Sequence, residues 1–210
     1  MKNVTERTHN PFGLRPPFDR TRPDERTAVF GYGDANADFH LIGNYPGLHG
    51  GRESGVPFTE TEAGERVQSI VREVGFAEGS WSEPTVENLF CSYRHMCCLP
   101  PGETPDESTY DELERYFDAE LRAINAHILL PVGERVTDHV LRSYTTQRDR
   151  LDLEMATLHA QEIRGRGFMV VPIRDPTAWE DTEADAIISR LEAILGRDYR
   201  QTKGVATRVG

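Results

Sequence analysis

Apolar positions along the chain alternate between two patterns. Four short runs are apolar almost without a break: residues 38–43 (DFHLIG), 88–96 (NLFCSYRHM), 127–133 (HILLPVG) and 167–173 (GFMVVPI). Short continuous runs of this kind predict strands buried on both faces. The stretches between them carry a helical period. Val67, Ile70, Val71 and Val74 share one face of residues 60–76, and Gly75 ends the pattern. Leu113, Tyr116, Phe117, Leu121 and Ile124 are in phase across 104–126, residues 134–144 form another helix, and Ile187, Ile188, Leu191, Ile194 and Leu195 stripe 183–196. Strand–helix alternation predicts an α/β fold with a parallel sheet covered on both faces. Ligands of such folds bind beyond the carboxyl ends of the strands. Three of those ends carry unusual residues: GNYPG (43–47), YRHMCCLPPG (93–102) and IRDPT (173–177).

The 210 residues suit one large domain, taken as 26–200, between an irregular arm rich in Pro, Arg and Asp (1–25) and a short tail (201–210). No apolar run approaches the ~18 residues of a membrane span, and the first residues lack a signal-peptide pattern, so a cytoplasmic protein is expected. The net charge is −11, and Lys2 and Lys203 are the only lysines among 24 basic residues. Acidic, lysine-poor surfaces suit a high-salt cytoplasm, and a halophile is expected; an ordinary acidic protein is the alternative. Net acidity normally repels nucleic acid, but molar salt screens that repulsion, so local charge decides. The local basic stretches are EIRGRGF, with Arg164 and Arg166, and the tail. Three cysteines argue against a disulfide framework.

At the first strand end, GNYPG either presents backbone N–H groups to an acceptor or is a plain tight turn. Neither GxGxxG nor a P-loop Gly-Lys-Ser/Thr is present. Phe58, in a polar loop, either stacks on a planar ligand or fills the core. Arg94 either meets an anion or base edge or pairs with a carboxylate. Asp175 either orients water or caps the following turn. Cys91, His95 and Cys97 do not read as a metal site, because on a strand Cys91 and His95 stand about 13 Å apart.

In this order the pieces resemble the uracil-DNA glycosylase superfamily, especially its family 4 type, in a divergent haloarchaeal variety. RTAVFGYGDANADFHLIGNYPG resembles the opening up to the GEAPG-like motif, and GRESGVPFTETEAGERV the Gly-x-Pro-Phe segment. CCLPPGETPDE resembles the Cys-Arg-Pro-Pro-Gly stretch, INAHILLPVGERVTDHVL the strand–Leu-Gly–helix segment, and GFMVVPIRDPT falls at the His-Pro-Ser motif. The likeness covers about residues 26–195. It implies a three-layer α/β/α fold with a central four-stranded parallel sheet, and excision of a deaminated base flipped out of DNA. It also implies stacking of the base on Phe58, contact of the Asn44 and Tyr45 N–H groups with a base carbonyl, and Arg94 as the base reader. Gly47, Arg164, Arg166, Arg174 and Thr177 are candidate DNA or anion contacts.

The departures fall in the chemistry. Asn44 stands where the family 4 type has Glu, Tyr45 where it has Ala, Arg94 where it has the base-reading Asn, and Asp175 and Thr177 where it has His and Ser. Asn44 and Asp175 are therefore the expected catalytic pair, with Asp175 orienting water and Asn44 stabilising charge. Of the four cysteines that hold the family 4 iron–sulfur cluster only Cys98 matches, so neither a cluster nor another metal is expected. The expected partner is DNA, single-stranded or damaged duplex, bound by a monomer. Two other readings stay open: a non-catalytic member that binds nucleic acid or a nucleotide, and a different hydrolase or ligand-binding function on the same fold.

Overall fold

The computed structural model describes residues 10–15, 28–165 and 167–199. Most of the arm, the tail 201–210 and Arg166 lie outside the described residues. In chain order the strands are β1 (Tyr32–Gly33), β2 (Phe39–Gly43), β3 (Ala77–Gly79), β4 (Pro84–Val86), β5 (Leu89–Tyr93), β6 (Ile128–Pro131), β7 (Ile163–Arg164) and β8 (Met169–Val170). The helices are α1 (Pro46–His49), α2 (Glu62–Glu73), α3 (Glu107–Ile124), α4 (Glu134–Tyr144), α5 (Met155–Leu158) and α6 (Asp181–Leu195), with single 3₁₀ turns at Arg148–Arg150 and Pro176–Ala178.

The four apolar runs become the parallel strands β5-β2-β6-β8, in that spatial order. The sheet has six strands rather than the four expected: β1 pairs antiparallel with β5 and β7 antiparallel with β8. Each edge strand is two residues long, too short to leave a periodic signal. A separate ribbon pairs β3 with β4.

Strand alternation divides the core between the two faces. Phe39, Leu41, Ile128 and Leu130 pack with Val67, Ile70 and Val71 of α2 and Ile187, Leu191 and Ile194 of α6. Ile42, Leu129 and Val170 point the other way, against Phe117 and Leu121 of α3 and Val136 and Val140 of α4. Helices thus cover both faces, as the sequence predicts. Gly75, at φ +87°, closes α2 by donating to Arg72 O, while Phe76 N–H reaches Val71 O. This pair of hydrogen bonds satisfies the last carbonyls of the helix, and the left-handed backbone it needs favours glycine. The described part of the arm is a turn closed on the Asn10 side chain, and Phe12 lies 6.2 Å from the Phe90 ring. Among the described residues no helix is long and apolar enough to cross a membrane.

One polar group sits deep in this core. Glu120 of α3 is 1% exposed, and neither carboxylate oxygen completes a hydrogen bond. Burial pushes it from 4.5 up to about 7, against a weaker opposing pull from the Ser92 side chain and the Gly31 backbone. Because its folded pKa is raised, the stability it contributes is complete below about pH 4.5. That stability is lost as pH rises to about 7, on the order of 3 kcal/mol in all. His40 hydrogen-bonds Ser92 at 2.8 Å and acts in the opposite sense: burial lowers it to about 3, so its contribution is lost as pH falls below 6.5. Glu120→Gln removes the reluctant charge while keeping the shape. It is expected to exceed the native chain in stability at about pH 8, by up to about 3 kcal/mol, and to match it near pH 4. Urea unfolding at the two pH values checks this; equal stability at about pH 8 would reject it.

Candidate functional site

The carboxyl ends of β2, β5 and β6 and the segment after β8 converge, and the residues that follow them build the site. After Gly43 the chain does not make a plain tight turn. Tyr45, extended at φ −157°, starts α1, and Pro46 sits at its first position, where its missing N–H costs nothing. One helical turn carries His49 back over the strand end, with His49 N–H on Tyr45 O and Gly50 N–H on Pro46 O. Its Nδ1 accepts the Asn44 N–H at 3.1 Å, and its ring stacks on Phe58 at a 5.6 Å centroid distance and 24°. Phe58 itself is 2% exposed, lies tilted against Tyr93 at 5.4 Å, and fits because Gly43 has no Cβ to meet its ring tip.

His49 is wholly buried. Because Nδ1 accepts, the proton of the neutral ring resides on Nε2, which meets no partner. Burial pulls the imidazole down to about 4, opposed by the nearby Asp175 carboxylate. Asp175 Oδ1 accepts from Thr177 N–H at 3.0 Å and Thr177 Oγ1 at 2.7 Å, capping the Pro176–Ala178 turn. Oδ2 remains, facing Gly133 at the start of α4. Asn44 Oδ1 accepts the Tyr110 hydroxyl at 2.5 Å, while its side-chain NH₂ bonds none of the described residues.

The other expected residues are placed as follows. Tyr45 is half-buried, and Gly47 is exposed and kept small by the Tyr45 ring, which a Cβ there would meet at 2.7 Å. Arg94 is not over Phe58. Its guanidinium lies 4.4 Å from the Tyr110 ring centroid and lines a cavity between α3 and α4. Arg174 is paired with Glu183, and Thr177 is exposed. Arg164 pairs in register with Met169, the first residue of β8, so it sits at the amino ends of the strands, away from the convergence. Cys91 is buried, with its thiol pushed up to about 12, and Cys97 is also buried. Among the described residues no group of three or more His, Cys, Asp or Glu side chains is placed to hold a metal ion.

Sequence reasoning missed His49, Tyr110 and Arg135, whose guanidinium lies 4.9 Å from the Tyr110 ring centroid. The signal for His49 was Pro46, which starts a helical turn and brings residue 49 back beneath residue 45. Tyr110 lies one turn before Leu113 on the apolar stripe of α3, in phase with it.

Residues 30–185 match the family model described as Uracil DNA glycosylase superfamily. The chain belongs to the uracil DNA glycosylase superfamily. A search of curated proteins finds no match. Within the superfamily frame, Phe58 and the Asn44 N–H are the groups expected to take a flipped base, and here an imidazole of the chain itself takes both. His49 is expected to stay neutral with its proton on Nε2 down to about pH 5. Asp175→Asn is expected to lower its pKa further, since the charge removed is the one that raises it. Imidazole ¹⁵N NMR titration checks both; a His49 titrating near 6.5, or a rise in the variant, would count against this geometry.

Proposed function

We propose that this protein is a family 4-like DNA N-glycosylase of divergent chemistry, whose base slot is held by His49 at rest. The observation that carries the reading is the pairing of Asn44 N–H with His49 Nδ1 while the ring lies on Phe58. A flat heteroaromatic ring with an acceptor toward Asn44 is what that slot selects, and a nucleobase has the same features. A base enters as His49 swings out. Asp175 Oδ2 then orients water toward the sugar C1′ and stabilises the positive charge that develops there. As the N-glycosidic bond breaks, the water oxygen bonds to C1′, the proton that the water sheds passes by way of Asp175 to the departing base or to solvent, and the electron pair of the broken bond leaves with the base. The Asn44 NH₂ and the freed His49 Nε2–H, both uncommitted donors, offer that charge hydrogen bonds.

The same reading takes the substrate to be DNA, the protein to be a cytoplasmic monomer, and its acidic, lysine-poor surface to be an adaptation to high salt. Trp81 is the one large apolar side chain exposed among the described residues, which supports a chain that works alone. The reading includes no iron–sulfur cluster of the family 4 type, since three cysteines cannot supply its four cysteine ligands. The second reading, a non-catalytic member that binds nucleic acid, is favoured by the full burial of Phe58 and the commitment of Asp175 to Thr177.

The test is single-turnover cleavage of single-stranded oligonucleotides carrying uracil, hypoxanthine or xanthine, from low to molar KCl. Abasic sites are revealed by alkali. Excision is expected from at least one base. Asp175→Asn is expected to slow it by roughly 100-fold or more, while His49→Ala opens the slot and tightens DNA binding. Phe58→Ala is unsuitable as a control, since emptying so buried a position costs about 3–5 kcal/mol of stability. No excision by either the native chain or His49→Ala, with DNA still bound, would overturn the glycosylase reading in favour of binding.

A further inference from the structure

A second site lies beside the base slot. Between α3, α4 and the Arg148–Arg150 turn is a cavity of about 610 Å³, lined by the four arginines Arg94, Arg135, Arg142 and Arg148 and by three carboxylates, Glu107, Glu134 and Asp138. Its volume is in the range of small-molecule sites. Three of the arginines have carboxylate partners at the rim: Arg135 pairs with Glu107, while Arg142 and Arg148 share Asp138. Those pairs hold the guanidinium groups in place and leave most of their N–H donors unspent, since each guanidinium carries five.

Arg94 differs. It is 9% exposed, makes no hydrogen bond or ion pair with any described residue, and its Nε is buried without a partner. The contact that holds it is the Tyr110 ring, which Arg135 flanks as well, at 4.9 Å. The Glu114 carboxylate acts on Arg94 through space but makes no ion pair with it, lying instead 3.1 Å from His139 Nε2. A buried cation without a direct partner is costly and leaves a place for an anion. His139, beside it, is driven neutral by burial and by the Arg94 charge, lowered to about 4, so it adds no cation of its own.

We propose that this cavity binds a phosphate group, with Arg94 as its buried anchor and Arg135, Arg142 and Arg148 completing the cationic wall. Guanidinium groups meet phosphate oxygens through paired N–H bonds, and several converging guanidiniums suit a multiply charged oxyanion. The group is either a phosphodiester of a bound DNA strand or the phosphate of a free nucleotide. The Tyr110 hydroxyl links the site to Asn44, so an occupied cavity is coupled to the base slot through one side chain.

The test is titration calorimetry at low ionic strength with inorganic phosphate, thymidine 5′-monophosphate, thymidine, and single-stranded thymidine oligonucleotides of increasing length. Phosphate-bearing ligands are expected to bind and thymidine not to. Arg94→Met, which keeps the stem over Tyr110, is expected to weaken them by roughly tenfold or more. Affinity that rises with oligonucleotide length assigns the site to the DNA backbone, and a monophosphate that binds as tightly as the oligonucleotides assigns it to a free nucleotide. Should Arg94→Met fail to fold, Arg142→Gln at the exposed rim serves instead, with a smaller loss expected. The proposal is overturned if no phosphate-bearing ligand binds the native chain. It is equally overturned if thymidine binds as well as its monophosphate, or if a folded variant binds like the native chain. No excision is read, so the result is independent of the glycosylase reading.

Discussion

The Tyr93 hydroxyl, at the end of β5, accepts the Phe58 N–H at 2.8 Å and donates to the Gly50 carbonyl at 3.1 Å. Both partners belong to the loop that returns from α1 toward α2, so one buried hydroxyl ties that loop to the sheet. Phe58 needs the tie. At φ +62° it occupies left-handed backbone, a conformation that costs a bulky residue on the order of 1–3 kcal/mol. Gly50 and Gly51, at φ +92° and +88°, make the preceding bend without that cost. Held this way, Phe58 gives His49 a flat surface, and the position of His49 determines what the Asn44 N–H can meet.

From this tie outward the strand ends divide into two environments. On the α2 side the groups are aromatic and neutral: Phe58, Tyr93 and an imidazole whose charge burial suppresses. On the α3–α4 side they are charged, arginines among carboxylates, with the Arg94 guanidinium partly desolvated and without an ion pair. Tyr110 stands on the boundary, its ring between two guanidinium groups and its hydroxyl on Asn44. In a dry setting an ion's field reaches further than in water. The choice of which side holds charge is therefore also a choice of where an anion settles.

The sheet and its layers were legible in the sequence because continuous apolar runs and helical stripes report burial directly. Leu113, Phe117, Leu121 and Ile124 face the core as their spacing requires, although Tyr116 is only half-buried. The edge strands were not legible: two residues carry no period, and the backbone pairing that defines them is long-range. At the site, sequence located the strand ends and named Asn44, Phe58 and Asp175, but could not orient them. Arg94 shows why. Its position at the end of β5 follows from the strand, whereas its rotamer follows from Tyr110, sixteen positions further along the chain. His49 escaped notice because its role depends on a single helical turn, shorter than any pattern that periodicity detects.

The two edges of the main sheet have a consequence for company. β1 and β7 each offer only two residues of backbone, and each runs against the direction of the strands it covers. A foreign strand arriving at either border finds almost no ladder to extend. With so little ladder at either margin, growth of the sheet from one molecule into the next is disfavoured, and the short apolar strands in the middle are kept from serving as a template for one another. At the protein concentrations of a crowded cell, that closure keeps a strand-rich interior private.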